Sequence, residues 1–226
     1  MTPFGIYKER LDPQWVRNLF EEPLMFPVND NSSIGAMVRG SAHLSQDVKL
    51  NLAAYYSGSE GNLQIAGEKQ MGGRASLFFG GPRVEVGASY SRKLGDDRFN
   101  VAGADFVWNV RRTPLDVRGE YVWANVLGRG FWLEGAWRLS QASSNRFLRR
   151  SQIVGRVERY GAPGTPQDID EELPALNTNR DTAGFNYWPS DSVKFAVAYG
   201  RQLDSSQSLG VWTLGVVYRF TWAKGE

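Results

Sequence analysis

Val193-Lys194-Phe195-Ala196-Val197-Ala198-Tyr199 and, beyond a short polar loop, Trp212-Thr213-Leu214-Gly215-Val216-Val217-Tyr218-Arg219-Phe220 decide how this chain reads. Apolar side chains take every second place: Val193, Phe195, Val197 and Tyr199, then Trp212, Leu214, Val216, Tyr218 and Phe220. Between them stand Lys194, Thr213, Gly215, Arg219 and small residues. Successive residues of a strand point to opposite faces, so the pattern predicts two long strands, each with one apolar face.

The same alternation runs back through the chain. Val48, Leu50, Leu52, Ala54 and Tyr56 alternate with Lys49, Asn51, Ala53 and Tyr55, and Val84, Val86, Ala88 and Tyr90 with Arg83, Glu85, Gly87 and Ser89. Strands are predicted at 2–8, 34–42, 47–56, 73–79, 83–91, 102–110, 115–123, 131–137, 153–160, 181–187, 192–199 and 212–220, about twelve in all. Their usual length, near ten residues, is that of tilted transmembrane β-segments. Tight turns near 44, 81, 112 and 189 fall at one end, and long connections near 20, 62 and 170 at the other; 141–149 is intermediate. Aromatics of the apolar faces cluster near strand ends. Tyr56, Tyr90, Trp123, Tyr199 and Trp212 form one level, and Phe79, Trp108, Trp137, Tyr187 and Phe220 the other, as two interfacial belts would. The expected fold is all-β: one domain over 1–226, a transmembrane antiparallel up-and-down β-barrel. A soluble β-sandwich with an aromatic core is the rival, although its strands would be shorter.

Composition agrees with a barrel. The 226 residues are 13% aromatic, with 8 Trp and 25 Gly. A charged share of 22% and a mean hydropathy of −0.40 look soluble, but a barrel with a polar interior has the same balance. No run approaches the ~20 apolar residues of a spanning helix. The absence of cysteine excludes disulfides and thiolate chemistry. A net charge of +2 gives no footing for nucleic acid. His43, the only histidine, lies at a tight turn, so neither a catalytic triad nor a histidine metal site is supported. No cofactor is implied, and no enzymatic activity is expected. No secretory signal precedes Thr2-Pro3-Phe4-Gly5. The chain is expected to be a mature form or a piece of a longer one.

Thr213, Gly215, Tyr218 and Phe220 resemble the last strand of bacterial outer-membrane barrels, which the barrel-assembly machinery reads as an insertion signal. On that resemblance Gly215, Tyr218 and Phe220 carry the signal, although six residues follow Phe220. Thr2-Pro3-Phe4-Gly5-Ile6-Tyr7, Gly103-Ala104-Asp105-Phe106-Val107-Trp108, Leu115-Asp116-Val117-Arg118-Gly119-Glu120-Tyr121 and Gly130-Phe131-Trp132-Leu133-Glu134-Gly135-Ala136-Trp137-Arg138-Leu139, in this order, resemble the phosphate-selective (O/P-type) porins of Gram-negative outer membranes. Val154-Gly155-Arg156 and Ala183-Gly184-Phe185-Asn186-Tyr187-Trp188-Pro189 extend the likeness. The resemblance implies a sixteen-stranded, trimeric porin of which this chain covers about the C-terminal two-thirds. It is then either a fragment or a smaller barrel. Outer-membrane lipid, lipopolysaccharide and small anionic solutes are the partners implied.

The polar faces carry Arg39, Lys49, Arg74, Arg83, Arg118, Arg138, Arg156, Lys194 and Arg219, facing Glu85, Asp105, Asp116, Glu120, Glu134 and Glu158. Lining a hydrated lumen, the guanidinium groups would favour anions; paired across neighbouring strands, the charges cancel locally. Phosphate is the anion the resemblance points to, but no individual position of the family's ladder is matched. The excursion over 9–32 holds an expected short helix at 12–20, with Asp12 as N-cap and Pro13 at the first helical position. Folded inward, it would narrow the pore with Arg10, Arg17, Glu21 and Glu22. The acidic loop 161–179 offers Asp168, Asp170, Glu171 and Glu172 either to calcium or simply to solvent. The expected function is passive diffusion of small hydrophilic solutes through an outer-membrane porin with a mild anion preference. A plugged barrel, structural or joined to a larger complex, is the alternative.

Overall fold

A computed structural model describes residues 16–25, 35–58, 69–94, 98–141, 144–163 and 173–220. Its strands are β1 (Gly35–His43), β2 (Val48–Ser57), β3 (Gln70–Phe79), β4 (Val84–Lys93), β5 (Asn100–Asn109), β6 (Leu115–Ala124), β7 (Gly128–Arg138), β8 (Ser151–Gly161), β9 (Thr178–Ser190), β10 (Val193–Leu203) and β11 (Ser208–Tyr218). They form one eleven-stranded sheet in chain order, each strand antiparallel to the next. The β-sandwich reading is thereby overturned, because among the described residues there is no second sheet to pack against. The strand predicted at 2–8 lies outside the described residues.

β1 and β11 are the two edges. Ten reversals separate them, so they run the same way, and pairing them directly would make a parallel ladder. Antiparallel closure requires an odd number of strands between them.

The sheet is inside out relative to a water-soluble protein. In β10, Lys194 is 1% exposed while the neighbouring Phe195 is 45% exposed; in β11, Leu214 is 78% exposed. Arg74, Glu85, Asp105, Arg118, Glu134, Arg156, Glu158 and Asn186 are all buried, whereas Tyr90, Trp108, Trp123, Phe131, Trp137, Ile153 and Tyr199 are all exposed. Soluble proteins rarely bury so many charges or expose so many large apolar side chains. Eight of the ten belt aromatics are exposed on the apolar face; Phe79 and Tyr187 are half-buried.

Tight links at 44–47, 80–83, 110–114 and 191–192 share one end, as expected. Two further short links, 125–127 and 204–207, fall at the opposite end, so connection length separates the ends less cleanly than the sequence implies. The second is held by Asp204 Oδ1, which accepts from the Ser206 and Gln207 backbone N–H groups (2.7 and 2.8 Å) and from the Ser206 hydroxyl (2.7 Å). These bonds, the hydroxyl's first, keep the exposed Asp204 carboxyl below its ordinary pKa. In the β7–β8 link, α1 (Arg146–Arg149) follows a 3-10 turn, Leu139–Gln141, and is capped by Asn145, whose Oδ1 accepts from Phe147 N–H at 2.8 Å.

The helix expected at 12–20 is not found in its described part. Residues 16–25 form turns and bends laid against the polar face of the sheet. The reason lies in where the backbone groups go: the carbonyls of Arg17, Asn18, Glu21 and Glu22 and the N–H of Leu24 bond to side chains of the sheet, not to one another. This segment, the strap, also covers much of the buried charge.

Candidate permeation pathway and its internal strap

The polar face begins with a cross-strand row. Arg118 on β6 stands opposite Glu134 on β7, which stands opposite Arg156 on β8. Register alone therefore alternates the signs. Arg118 meets Glu134 Oε1 through Nε (2.7 Å) and Nη2 (2.6 Å), and Arg156 Nη1 lies 3.8 Å from Oε2. Arg156 Nε donates to Glu158 Oε1 at 2.8 Å, and Arg180 on β9 donates to both Glu158 oxygens at 3.0 and 3.1 Å. Three guanidiniums and two carboxylates thus form one ladder across β6–β9. A second group joins Arg74 on β3 to Asp105 on β5 (3.1 and 2.5 Å), with Glu85 on β4 at 3.6 Å. Gly87, on the strand between, permits it: a Cβ there would lie 2.7–2.8 Å from the Arg74 Nη2 and the Asp105 carboxylate. One surplus positive charge in the first group is matched by one surplus negative charge in the second.

The strap docks onto this wall. Asn18 Nδ2 donates to Glu134 Oε1 (2.9 Å), and the Asn18 carbonyl accepts from Asn186 Nδ2 on β9 (2.8 Å). Lys194 Nζ on β10 donates to the Arg17 carbonyl and lies 5.3 Å from the centre of the Phe20 ring. The Glu21 carbonyl accepts from Arg156 Nη2 at 2.8 Å, its carboxylate accepts from Thr213 on β11, and the Glu22 carbonyl accepts from Arg180. Leu24 N–H donates to Glu158 Oε2 at 2.8 Å. Five adjacent strands, β7 to β11, grip ten residues, the arrangement of a sheet curled around its polar face. Room comes from missing side chains. A Cβ at Gly184 would stand 2.5 Å from Leu19 Cδ2, and Cβ atoms at Gly215 and Gly130 would collide with Phe20 and Met25. Leu19 packs with Ala136, Val154 and Ala198, while Leu24 and Met25 join Val101, Val122, Ala124, Tyr160 and Leu173 near the other end of the strands. The strap therefore runs along the strands from the tight-turn end, where residues 16–18 lie, toward the opposite end.

Below residues 16–18 a cleft of about 450 Å³ opens at the tight-turn end. Four guanidiniums line it, those of Arg17, Arg83, Arg118 and Arg138, against the single carboxylate of Asp116. Arg17 also pairs with Glu22 (3.2 Å), and Arg138 stacks 5.2 Å from the Trp188 ring. The buried Asp116 Oδ1 has no hydrogen-bond partner among the described residues.

The predicted lumen residues thus separate into groups. Arg74, Arg118, Arg156 and Lys194 are buried and bonded. Arg83 and Arg138 are exposed at the cleft; Arg83 belongs to the turn before β4, at φ +58°, and not to the strand. Lys49 is half-buried. Arg39 falls in register with Ala53 and so with Arg74, on the same face, but the edge strand β1 leaves it exposed. Arg219 follows β11, exposed, its N–H bonded to the Ser192 carbonyl at 2.8 Å. Of the predicted constriction residues, Arg17, Glu21 and Glu22 lie on the strap, and Arg10 is outside the described residues. Tyr218 and Phe220 are exposed with rings in edge contact at 4.4 Å, while Gly215 faces the strap. His43 is exposed at the end of β1. Asp168, Asp170, Glu171 and Glu172 lie outside the described residues, as does the 164–172 part of the 161–179 loop. Sequence reasoning missed Asn18, Arg180 and Asn186; the run of small residues facing inward on β9–β11 (Gly184, Ala198, Gly200, Gly215) was the available sign that something packs there.

No family model matches the chain, and no curated protein matches it either. Among the solved structures it is similar to are a KdgM porin and a KdgM porin in complex with disordered oligogalacturonate. Each is 14% identical, with a TM-score of 0.43, over 82% of this chain and 91% of the other.

Proposed function

We propose that this chain is an integral outer-membrane porin that lets small hydrophilic solutes diffuse along its polar face. One observation carries the reading: through the middles of β3 to β10 large apolar side chains are exposed on one face, while Arg74, Glu85, Asp105, Arg118, Glu134, Arg156, Glu158 and Lys194 are buried on the other. Such a wall is stable where hydrocarbon meets its outer face and water or polar chain its inner one, and backbone pairing in the ladders meets the needs of a membrane span. The strap narrows the passage, and the tight-turn cleft forms its vestibule, on the side that faces the periplasm in barrels of this type.

The anion preference belongs at that vestibule. The inner ladders are close to neutral, so they favour neither sign strongly. The cleft, where the exposed Arg83 and Arg138 guanidiniums stand beside the single carboxylate of Asp116 while Arg17 and Arg118 are paired with Glu22 and Glu134, attracts anions. Arg118 and Arg156, attractive targets for charge reversal from sequence, are poor ones in the fold, since a carboxylate at either position would lie against Glu134. Arg83→Gln with Arg138→Gln leaves the ladder intact. In planar bilayers under a salt gradient, that double variant is expected to move the reversal potential toward cations; an unmoved potential would remove the vestibule from ion selection. The likeness to phosphate-selective porins suggests phosphate as one such anion, and competition between phosphate and chloride currents tests it.

The number of bonds holding the strap supports a second reading, a plugged barrel that does not conduct as isolated. Single-channel recording separates the two: the porin gives discrete steps, and the plugged barrel none until the strap is released.

A further inference from the structure

The outer face of β9–β11 is not smooth. A cleft of about 320 Å³ opens there, at the small end of ligand clefts (~300–1,000 Å³). Its floor is two rows of apolar side chains: Phe195 stands in register between Tyr187 and Val216, and Val197 between Phe185 and Leu214. One wall is Phe147 of α1, whose ring lies 4.6 Å from Tyr187 and 6.0 Å from Phe185. That wall is basic. Arg146, Arg149 and Arg150 surround Phe147 in the chain. Arg150 Nη1 is spent on the Pro189 carbonyl at 2.5 Å, but the side chains of Arg146 and Arg149 are exposed and make no ion pair or hydrogen bond among the described residues. α1 sits at the tight-turn end, where the apolar face stops.

We infer that this cleft is a phospholipid site, holding an acyl chain against Phe195 and Val216 while Arg146 and Arg149 take the phosphate. Two features converge: an apolar slot on the outer face, and two exposed arginines, Arg146 and Arg149, one and two residues from the Phe147 that walls it. Arginine binds phosphate oxygens bidentately and is favoured beside anionic headgroups. A docking peptide fits less well, because an added strand pairs edge to edge through backbone groups, whereas this cleft lies on the face of the sheet over the β9–β10 and β10–β11 ladders. The inference rests on the membrane reading above and adds to it a lipid held by its headgroup.

The test uses the full chain, refolded in detergent and exposed to dimyristoyl phosphatidylglycerol. After washing, native mass spectrometry is expected to find one lipid retained per chain, and Arg146→Gln with Arg149→Gln to lower that occupancy roughly tenfold or more. Val216→Trp, which fills the slot without touching charge, should lower it too. Equal retention by all three proteins, or retention scaling only with total lipid, would overturn the site. Dimers lost in Val216→Trp would instead make the slot a contact between copies and also overturn it. Flotation with vesicles separates this from the larger reading: a chain that floats but retains no lipid refutes the site alone, and one that does not float refutes membrane insertion itself.

Discussion

Glu134→Ala is expected to destabilise the folded chain by about 3–5 kcal/mol, the cost of breaking a buried ion pair from one side. Glu134 is 2% exposed and receives Arg118, Arg156 and Asn18 at once. Its removal leaves the two largely buried guanidiniums of Arg118 and Arg156 facing each other without the carboxylate between them. Glu134→Gln keeps an acceptor for Asn18 but not the charge, so it should fall between Ala and the parent. Replacing Arg118 and Glu134 together by leucine removes donor and acceptor alike and should cost far less than Glu134→Ala. Urea unfolding in vesicles, followed by tryptophan fluorescence, ranks the three. If Glu134→Ala matched the parent within error, the ladder would be solvated and the buried geometry wrong.

Exchanging residues 17–25 for a Gly/Ser run of equal length should change conductance more than any single substitution. The exchange deletes the buried side chain of Leu19, about 1.5–3 kcal/mol of apolar burial, the half-buried Phe20 ring, and the Asn18 and Glu21 hooks. A Gly/Ser segment keeps carbonyls for Lys194 and Asn186 but has little left to hold it against the wall. Single-channel steps are expected to grow several-fold and to become noisier. If the parent chain is silent and the exchanged chain conducts, the strap is a plug; if both conduct alike, the strap does not stand in the path. Gly215→Leu reaches the same end by force, because any side chain there displaces Phe20.

How much of this was legible beforehand depended on the range of the cause. Each of the eleven described strands overlaps a predicted one, because alternation is a local property fixed by strand geometry. Which face is inward was legible as well: Lys194 next to Phe195 needs only its neighbours to be read. The strap was only half legible. An inward fold of 9–32 could be proposed, but Asp12-Pro13 reads locally as a helix start, while the described residues after it form no helix. Bonds from Lys194, Asn186 and Arg156, more than 130 positions away, override local preference there. Charge pairing was the least legible part. Arg118 and Arg156 look like free lumen cations in sequence, and only register reveals Glu134 between them. Arg180 lay at the edge of a predicted loop and gave no sign of joining Glu158.

The most direct measurement exploits the lack of native cysteine. Single cysteines placed along β4, at Val84, Val86, Ala88 and Tyr90 and at Glu85, Ser89 and Ser91, carry spin labels in the vesicle-inserted chain. Collision with oxygen, which concentrates in hydrocarbon, and with a water-soluble nickel chelate is then read at each position. Oxygen access is expected at the first four and not at the other three, with a period of two residues. Uniform access to the chelate along the strand, or oxygen access at Ser89 and Ser91, would mean that the apolar face does not meet lipid.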